Sequence, residues 1–333
     1  MQKQNQEVNR KALVSSLRDH VDPERVELHE FGTREGWLEG RQKGIGASEI
    51  AAVLGLSPYK SPFAVWAEKT GKAPPQEDKP VMRRGRDLES LIGDRVAEES
   101  GRSVHRPLHP WTIARSLRHP WITCTLDFVQ YRGAVAGPGA CDAKSVGSRS
   151  ASLWDDPDDA PIGYQMQIQG QLLVMGWDWG SLAGLMMDSW ELRLRDYGAH
   201  DAVQSAIVEE TGNFWDQHVL KDIPPPDARG ADLAAIHRIW DRQEGLESTI
   251  GAEFEDLWLE YQHLTGQISE LRSQSNLADD RRKTIQAAIL SRAGHATRLR
   301  VDGTNHVFVL RSHPRKEYTV KATTVHQLKL EEV

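Results

Sequence analysis

A chain of 333 residues, 39% hydrophobic and 27% charged, can fill a sizeable core, which excludes a disordered polypeptide and predicts one large domain with an appendage or two domains. No run of eighteen apolar residues occurs, and the opening Met1-Gln2-Lys3-Gln4 is polar with no apolar stretch behind it. This predicts neither a membrane span nor a secretory signal, and hence a cytoplasmic protein. The formal charge of -7 argues against wholesale nucleic-acid coating, yet the stretch 281–330 holds eleven Lys and Arg against two Asp and Glu, a tail that is either solvated or phosphate-binding.

Residues 1–38 read as a polar segment, frayed or a lone helix. Residues 48–54 read as a short helix closed by Gly55, and Ser61-Pro62 opens another running to Gly71, a cap residue followed by proline at the first turn. Past a proline-bearing loop, residues 83–100 place Leu88, Leu91, Ile92 and Val96 at helical spacing, with Glu89 beside that stripe. From 121 to 129, Ile122, Cys124, Leu126 and Phe128 alternate with Thr123, Thr125 and Asp127, the period of one half-buried strand with Asp127 on its polar face. A glycine turn leads to a second strand through Lys144, so the two form a hairpin. Pro161 then starts a helix to about Met175 that carries Gln165, Gln167, Gln169 and Gln171, and two further strands, 181–187 and 190–194, precede a helix over about 200–220. The only cysteines, Cys124 and Cys141, are too few for a thiolate metal site and read as buried free thiols.

Pro224-Pro225-Pro226 forces extended backbone and sets the expected boundary of a main domain at 39–226. Residues 227–296 follow, with apolar side chains at three-to-four spacing from Leu233 to Leu271, which predicts a helix folded back on a second as a hairpin or coiled-coil-like pair. The remaining 297–333 read as a small, basic, β-rich segment with strands near 307–310 and 318–320.

Alternate side chains of a strand share a face, so Asp142 and Lys144 point together at whatever Asp127 faces. With Glu89 these acids form a set of hard oxygen donors able to hold one or two Mg²⁺ ions at about 2.0–2.1 Å. Such an ion polarises a phosphate and acidifies a water. Lys144 is suited to orient or help deprotonate that water and to add positive charge where the phosphate becomes more negative. An isolated Asp-x-Lys is also an ordinary surface pair, so the surroundings decide.

Those surroundings resemble a known family. Arg41 with Gly44-Ile45-Gly46-Ala47-Ser48-Glu49 and Ser57-Pro58-Tyr59 comes first, and Arg84-Gly85-Arg86-Asp87-Leu88-Glu89 second. His119-Pro120-Trp121 ahead of Leu126-Asp127, then Asp142-Ala143-Lys144, then Tyr164-Gln165-Met166-Gln167, complete the order. Together, over about 41–226, they are similar to the YqaJ-type viral recombinase nucleases, relatives of phage lambda exonuclease.

The resemblance implies an α/β, restriction-endonuclease-like core in which helices flank a central mixed sheet; the predicted C-terminal helical hairpin and small β segment are added to it. It also implies Mg²⁺-dependent digestion of double-stranded DNA ends from 5′ to 3′, with Mn²⁺ as a substitute ion. The product would be 3′ single strands for an annealing protein, and the enzyme a homo-oligomeric ring. Carried over by position, Glu89, Asp127 and Asp142 are the metal ligands or their close neighbours, and Lys144 and Glu89 are catalytic. Gln167 matches the helix glutamine that orients lysine and water, with Gln165 and Gln169 as fallback registers. Arg41 and Ser48 match the grip on the terminal 5′-phosphate, with Thr125 and Arg149 as further members. A helix N-terminus bearing a hydroxyl and a guanidinium is an anion site on physical grounds too, and a plain N-cap at Ser48 is the other reading. This chain departs from the family pattern at Leu126, where proline is usual, and at Asp142, where glutamate is usual. The competing readings are an endonuclease on the same scaffold and a non-cleaving DNA-end-binding module; a Cas4-like nuclease needs a cysteine cluster that two cysteines cannot supply.

Overall fold

Short extended runs and capped helices alternate through the first two thirds of the chain. The computed structural model describes residues 11–73, 78–133, 137–240, 245–247, 249, 251–304 and 306–309. It begins with β1 (Leu13–Ser15), β2 (Val26–Glu30), α1 (Arg34–Arg41), β3 (Ile45–Gly46) and α2 (Ile50–Val53). Next come α3 (Pro62–Lys69), α4 (Pro80–Ser100), β4 (Ser103–Pro107), β5 (Thr112–Ser116), β6 (Ile122–Cys124), β7 (Phe128–Tyr131) and β8 (Gly139–Val146). After α5 (Ser148–Ala151) follow α6 (Ile162–Met175), β9 (Trp179–Met186), β10 (Leu192–Gly198), α7 (Asp201–Phe214) and α8 (Leu233–Ile239).

The helix ends follow their residues. Ser61 caps α3 by accepting from the Ala64 N–H at 2.9 Å, with Pro62 in the first turn, where its missing N–H is harmless. Helix α4 starts at a proline as well and stops at Gly101, whose φ of 69° is the left-handed cap that glycine adopts without strain.

Six strands pair in the order β1-β4-β7-β8-β9-β10, and four in the order β2-β5-β6-β3. The hairpin of β7 and β8 is antiparallel with Phe128 opposite Cys141, while β8 and β9 run parallel, joined through the crossover that contains α6. Alternation along β8 divides the core. Cys141 packs with Phe128, Ala183 and the Ile92, Val96 and Ala97 stripe of α4, whereas Ala140 and Val146 pack with Ile168 and Leu172 of α6. The two helices therefore take opposite faces of the sheet, and Asp142 and Lys144, two and four residues after Ala140, share the face of α6. Both cysteines are free and buried, which pushes their thiols up in pKa.

Several expectations are corrected. Residues 13–15 and 26–30 are neither frayed nor helical: β1 adds to the edge of the large sheet beside β4, and β2 pairs with β5. The single strand expected over 121–129 is two, β6 and β7, in different sheets, and Asp127 lies in the bend between them. The main unit also continues past the prolines, and the division falls between residues 243 and 244. Within it, Ser61 Oγ donates to Asp232 at 2.7 Å, and Ala235, Ile236 and Ile239 of α8 join the core.

Among its described residues the second unit, beyond residue 243, has one helix, α9 (Glu253–Ala293), and an antiparallel pair of β11 (Arg298–Arg300) and β12 (Val307–Val309). No helical hairpin is present among its described residues, because 41 consecutive residues stay in one helix. The strand expected near 318–320 lies outside the described residues.

Candidate active site

The site assembles where the β7–β8 hairpin, α4 and α6 converge. Phe128 is in register with Cys141, so the preceding Asp127 stands level with Asp142. Asp127 accepts from the Ala143 N–H at 2.8 Å, which ties it to the neighbouring strand. Asp142 is buried and Lys144 pairs with its Oδ2. Gln167 links the pair from α6: its Nε2 donates to Asp142 Oδ1 at 2.6 Å and its Oε1 accepts from Lys144 Nζ at 3.1 Å. The Tyr164 ring, three residues earlier on the same helix, has its centroid 5.0 Å from the ammonium. Glu89 of α4, Asp127, Asp142, Lys144 and Gln167 all line one cavity of about 930 Å³.

The electrostatics of that cavity record crowded carboxylates. Burial and then Asp142 push Glu89 up to about 7. Burial, Asp142 and Glu89 raise Asp127 well above the ordinary aspartate range, against the pull of Lys144 and the Ala143 N–H. Burial disfavours the Lys144 ammonium, but Asp142 and Asp127 outweigh it and hold its pKa above that of an ordinary lysine. The flanking acids thus keep Lys144 a cation, a charge pattern that suits the orienting and stabilising role expected of it better than the withdrawal of a proton.

A divalent ion fits this donor set. Burial and neighbouring acids raise the pKa of Glu89 and Asp127, so these carboxylates hold negative charge short of compensation, and Asp142 beside them is paired with the Lys144 ammonium. Among the described residues no three His, Cys, Asp or Glu side chains are gathered as a ready cage. Mg²⁺ does not need one, since it commonly takes one or two carboxylates and keeps several waters.

Around the same cavity stands a cationic group. Arg41 Nη2 donates to Ser48 Oγ at 3.3 Å and the guanidinium Cζ lies 4.9 Å from the Trp37 ring centroid, while Trp37 Nε1 donates to Thr125 Oγ1 at 3.1 Å. Arg41, Ser48 and Thr125 therefore line the cavity together. Arg149, the fourth residue expected there, is exposed on α5 and does not line it. The short turn at Ser48 is preceded by Gly46, whose N–H donates to Glu49 at 2.8 Å, and no hydroxyl cap is made by Ser48.

Two residues were missed by sequence reasoning. Gln171, fully buried one turn after Gln167, donates from Nε2 to the same Asp142 Oδ1 at 3.0 Å; the i, i+4 spacing from Gln167 was its signal. The fallback registers point elsewhere, Gln165 to the Ala160 carbonyl and Gln169 to the Gly198 carbonyl. Glu49 is the second: it is buried beneath Arg41 at 3.2 Å, Lys60 at 3.3 Å and Lys69 at 2.6 Å. Burial alone would raise its pKa, but Lys69, Lys60 and Arg41 hold it well below the usual glutamate range.

A mixed sheet bearing two aspartates and a lysine at the mouth of one cavity, braced by a helix glutamine and approached by a helix glutamate, defines a nuclease. Residues 36–178 match the family model of the YqaJ-like viral recombinase domain. Uncharacterized protein YqaJ of Bacillus subtilis (strain 168) is 28% identical over 251 residues, which are 73% of this chain and 75% of that protein. Among solved structures, an alkaline exonuclease from Laribacter hongkongensis is 19% identical with a TM-score of 0.45, covering 57% of this chain and 94% of its own. A phage related exonuclease from Haemophilus somnus 129PT is 11% identical with a TM-score of 0.40, covering 54% of this chain and 96% of its own. No helix among the described residues is long and apolar enough to cross a membrane.

Proposed function

We propose that the protein is a Mg²⁺-dependent exonuclease that degrades one strand of double-stranded DNA from its 5′ ends, leaving 3′ single strands for an annealing protein. The observation that carries this reading is the Asp142–Gln167–Lys144 linkage, level with Asp127 and open to a cavity rimmed by Arg41, Lys60, Arg86 and Arg106. Asp127 and Asp142, with Glu89 beside them, would hold Mg²⁺, and Mn²⁺ would serve in its place. The bound ion supplies Lewis-acid polarisation of the scissile phosphate and a more acidic water.

Everything else falls to the chain. Gln167 fixes Lys144 and Asp142 relative to one another, so the ammonium is aimed before substrate arrives. Lys144 stays protonated and stabilises charge that grows on the phosphate oxygens. Arg41 and Ser48 hold the terminal 5′-phosphate by charge-assisted hydrogen bonds, and Thr125 is positioned with them through Trp37. A grip on the end, rather than on internal phosphate, is what separates this reading from an endonuclease on the same scaffold. A ring of subunits belongs to the same reading, because enclosure of the duplex would keep the enzyme on its substrate between cuts.

The test uses linear duplex with a label at its 5′ end. Mononucleotides are released with Mg²⁺ present, and Lys144→Ala releases none. Duplex ends left intact under every divalent cation would overturn the proposal, and binding without release would favour the end-binding module.

A further inference from the structure

We infer that α9 is a self-association element, pairing antiparallel with α9 of a second copy of this chain. The inference rests on the second unit alone and is independent of the nuclease reading.

The helix is 41 residues long, about 60 Å at 1.5 Å per residue. Phe254, Leu257, Tyr261, Leu264, Ile268 and Leu271 recur at alternating intervals of three and four, which is the seam of a coiled coil. Leucine occupies every second place of the six, and β-branched Ile268 and two aromatics occupy the others. All six are exposed, from 45% at Phe254 to 64% at Leu271. A soluble helix does not keep such a stripe in water without a partner.

Charge along the helix selects the partner and its direction. Residues 254–271 contain Glu255, Asp256, Glu260 and Glu270 and no Lys or Arg. Residues 272–292 contain five Lys and Arg against Asp279 and Asp280. A parallel pair of identical helices would set acid against acid and base against base, whereas an antiparallel pair sets each acidic half against a basic one. The seam agrees. Continued at the same spacing it passes through Ser275, Ala278, Arg282, Ile285 and Ile289, so in a pair centred near Ser273 Leu271 meets Ser275, Ile268 meets Ala278, and Leu257 meets Ile289. Large side chains face small ones at the middle, Leu264 and Phe254 lie opposite Arg282 and Arg292, whose stems can cover them, and Tyr261 with Ile285 and Leu257 with Ile289 pair apolar side chains.

The experiment measures the mass of the full chain in solution by light scattering across a dilution series, with Leu264→Lys/Ile268→Lys as the comparison. Both positions are exposed, so the helix itself should persist, and far-ultraviolet circular dichroism checks that it does. We expect the variant to have half the mass of the parent, because the α9 contact joins two assemblies that are otherwise separate. Spin labels on Asp256→Cys place direction: antiparallel pairing gives an inter-label distance of about 50 Å, and parallel pairing less than about 20 Å. A parent mass unchanged by the double substitution, a monomeric parent at tens of micromolar, or the short inter-label distance overturns the inference.

Discussion

Gln171 donates to the Asp142 oxygen that Gln167 also holds, from a position with no exposed surface one helical turn deeper in α6. Asp142 is thereby fixed from two sides on one oxygen, leaving its other oxygen to Lys144 and the cavity. A hydrogen bond to a charged group is worth about 1.5–3 kcal/mol, so Gln171→Leu should lower kcat by about ten- to a hundredfold. The same substitution takes a donor from buried Asp142 in the fold, so the melting temperature should fall as well. Single-turnover rates and melting temperature measured on the same preparations check both; a variant as active as the parent would remove Gln171 from the site.

Glu49 carries a different prediction, since it is a buried acid held by three cations. Glu49→Gln strips the carboxylate from Lys69, whose own side chain is 2% exposed, and a buried charge that loses its partner costs about 3–5 kcal/mol. Urea unfolding at pH 7 should show that loss. The sign with pH follows from the depressed pKa in the fold: the stabilisation is complete above the ordinary glutamate value of 4.5 and disappears as pH falls through the lower value of the folded state. The difference in stability between parent and variant should hold steady from pH 6 to 8 and shrink in acid below the ordinary glutamate range.

What the sequence disclosed, and what it hid, follows from the range of each signal. The β7–β8 hairpin was legible because alternation, a glycine turn and Asp-x-Lys agree locally. The break before Asp127 was not: Cys124, Leu126 and Phe128 are buried whether the strand is one or two, and only pairing with different sheets separates β6 from β7. Strands β1 and β2 hid because they are short, three and five residues, and their partners lie some ninety positions along the chain. In the second unit, three-to-four spacing describes one long helix as well as two short ones, and no proline or glycine pair marked a turn. Gln171 was visible only as one more polar residue in a glutamine run; its burial against Asp142 depends on how α6 rotates over the sheet.

Glu89 gives the protein a pH response near neutrality. Its pKa in the fold is raised to about 7 from an ordinary 4.5, so the folded protein holds a proton that the unfolded chain releases. The contribution to stability is complete below 4.5 and is lost as pH rises through 7, in the absence of a divalent ion. The Mg²⁺-free protein should therefore melt at a lower temperature at pH 8 than at pH 5.5. Glu89→Gln should flatten that slope, as read by differential scanning calorimetry in EDTA. The same proton competes with Mg²⁺, and the ion's apparent affinity should rise between pH 6 and 8 in the parent and less in the variant.

The distance from α4 to the sheet is set by Gly93. A Cβ there would stand 2.3 Å from Cε1 and 2.5 Å from Cζ of Phe128, a rigid ring that is itself 1% exposed and follows Asp127 directly. Gly93→Ala must move the helix or the ring, at a cost of about 1–3 kcal/mol. Either movement reaches the site, because Glu89 sits one turn before Gly93 and Asp127 one residue before Phe128. Gly85, on the same helix, meets nothing within 4 Å, so Gly85→Ala should instead add about 0.5–1 kcal/mol through helix propensity. Opposite signs for two glycine-to-alanine changes on one helix, read in urea midpoints, would separate close packing from propensity; a neutral Gly93→Ala would mean that α4 does not rest on Phe128.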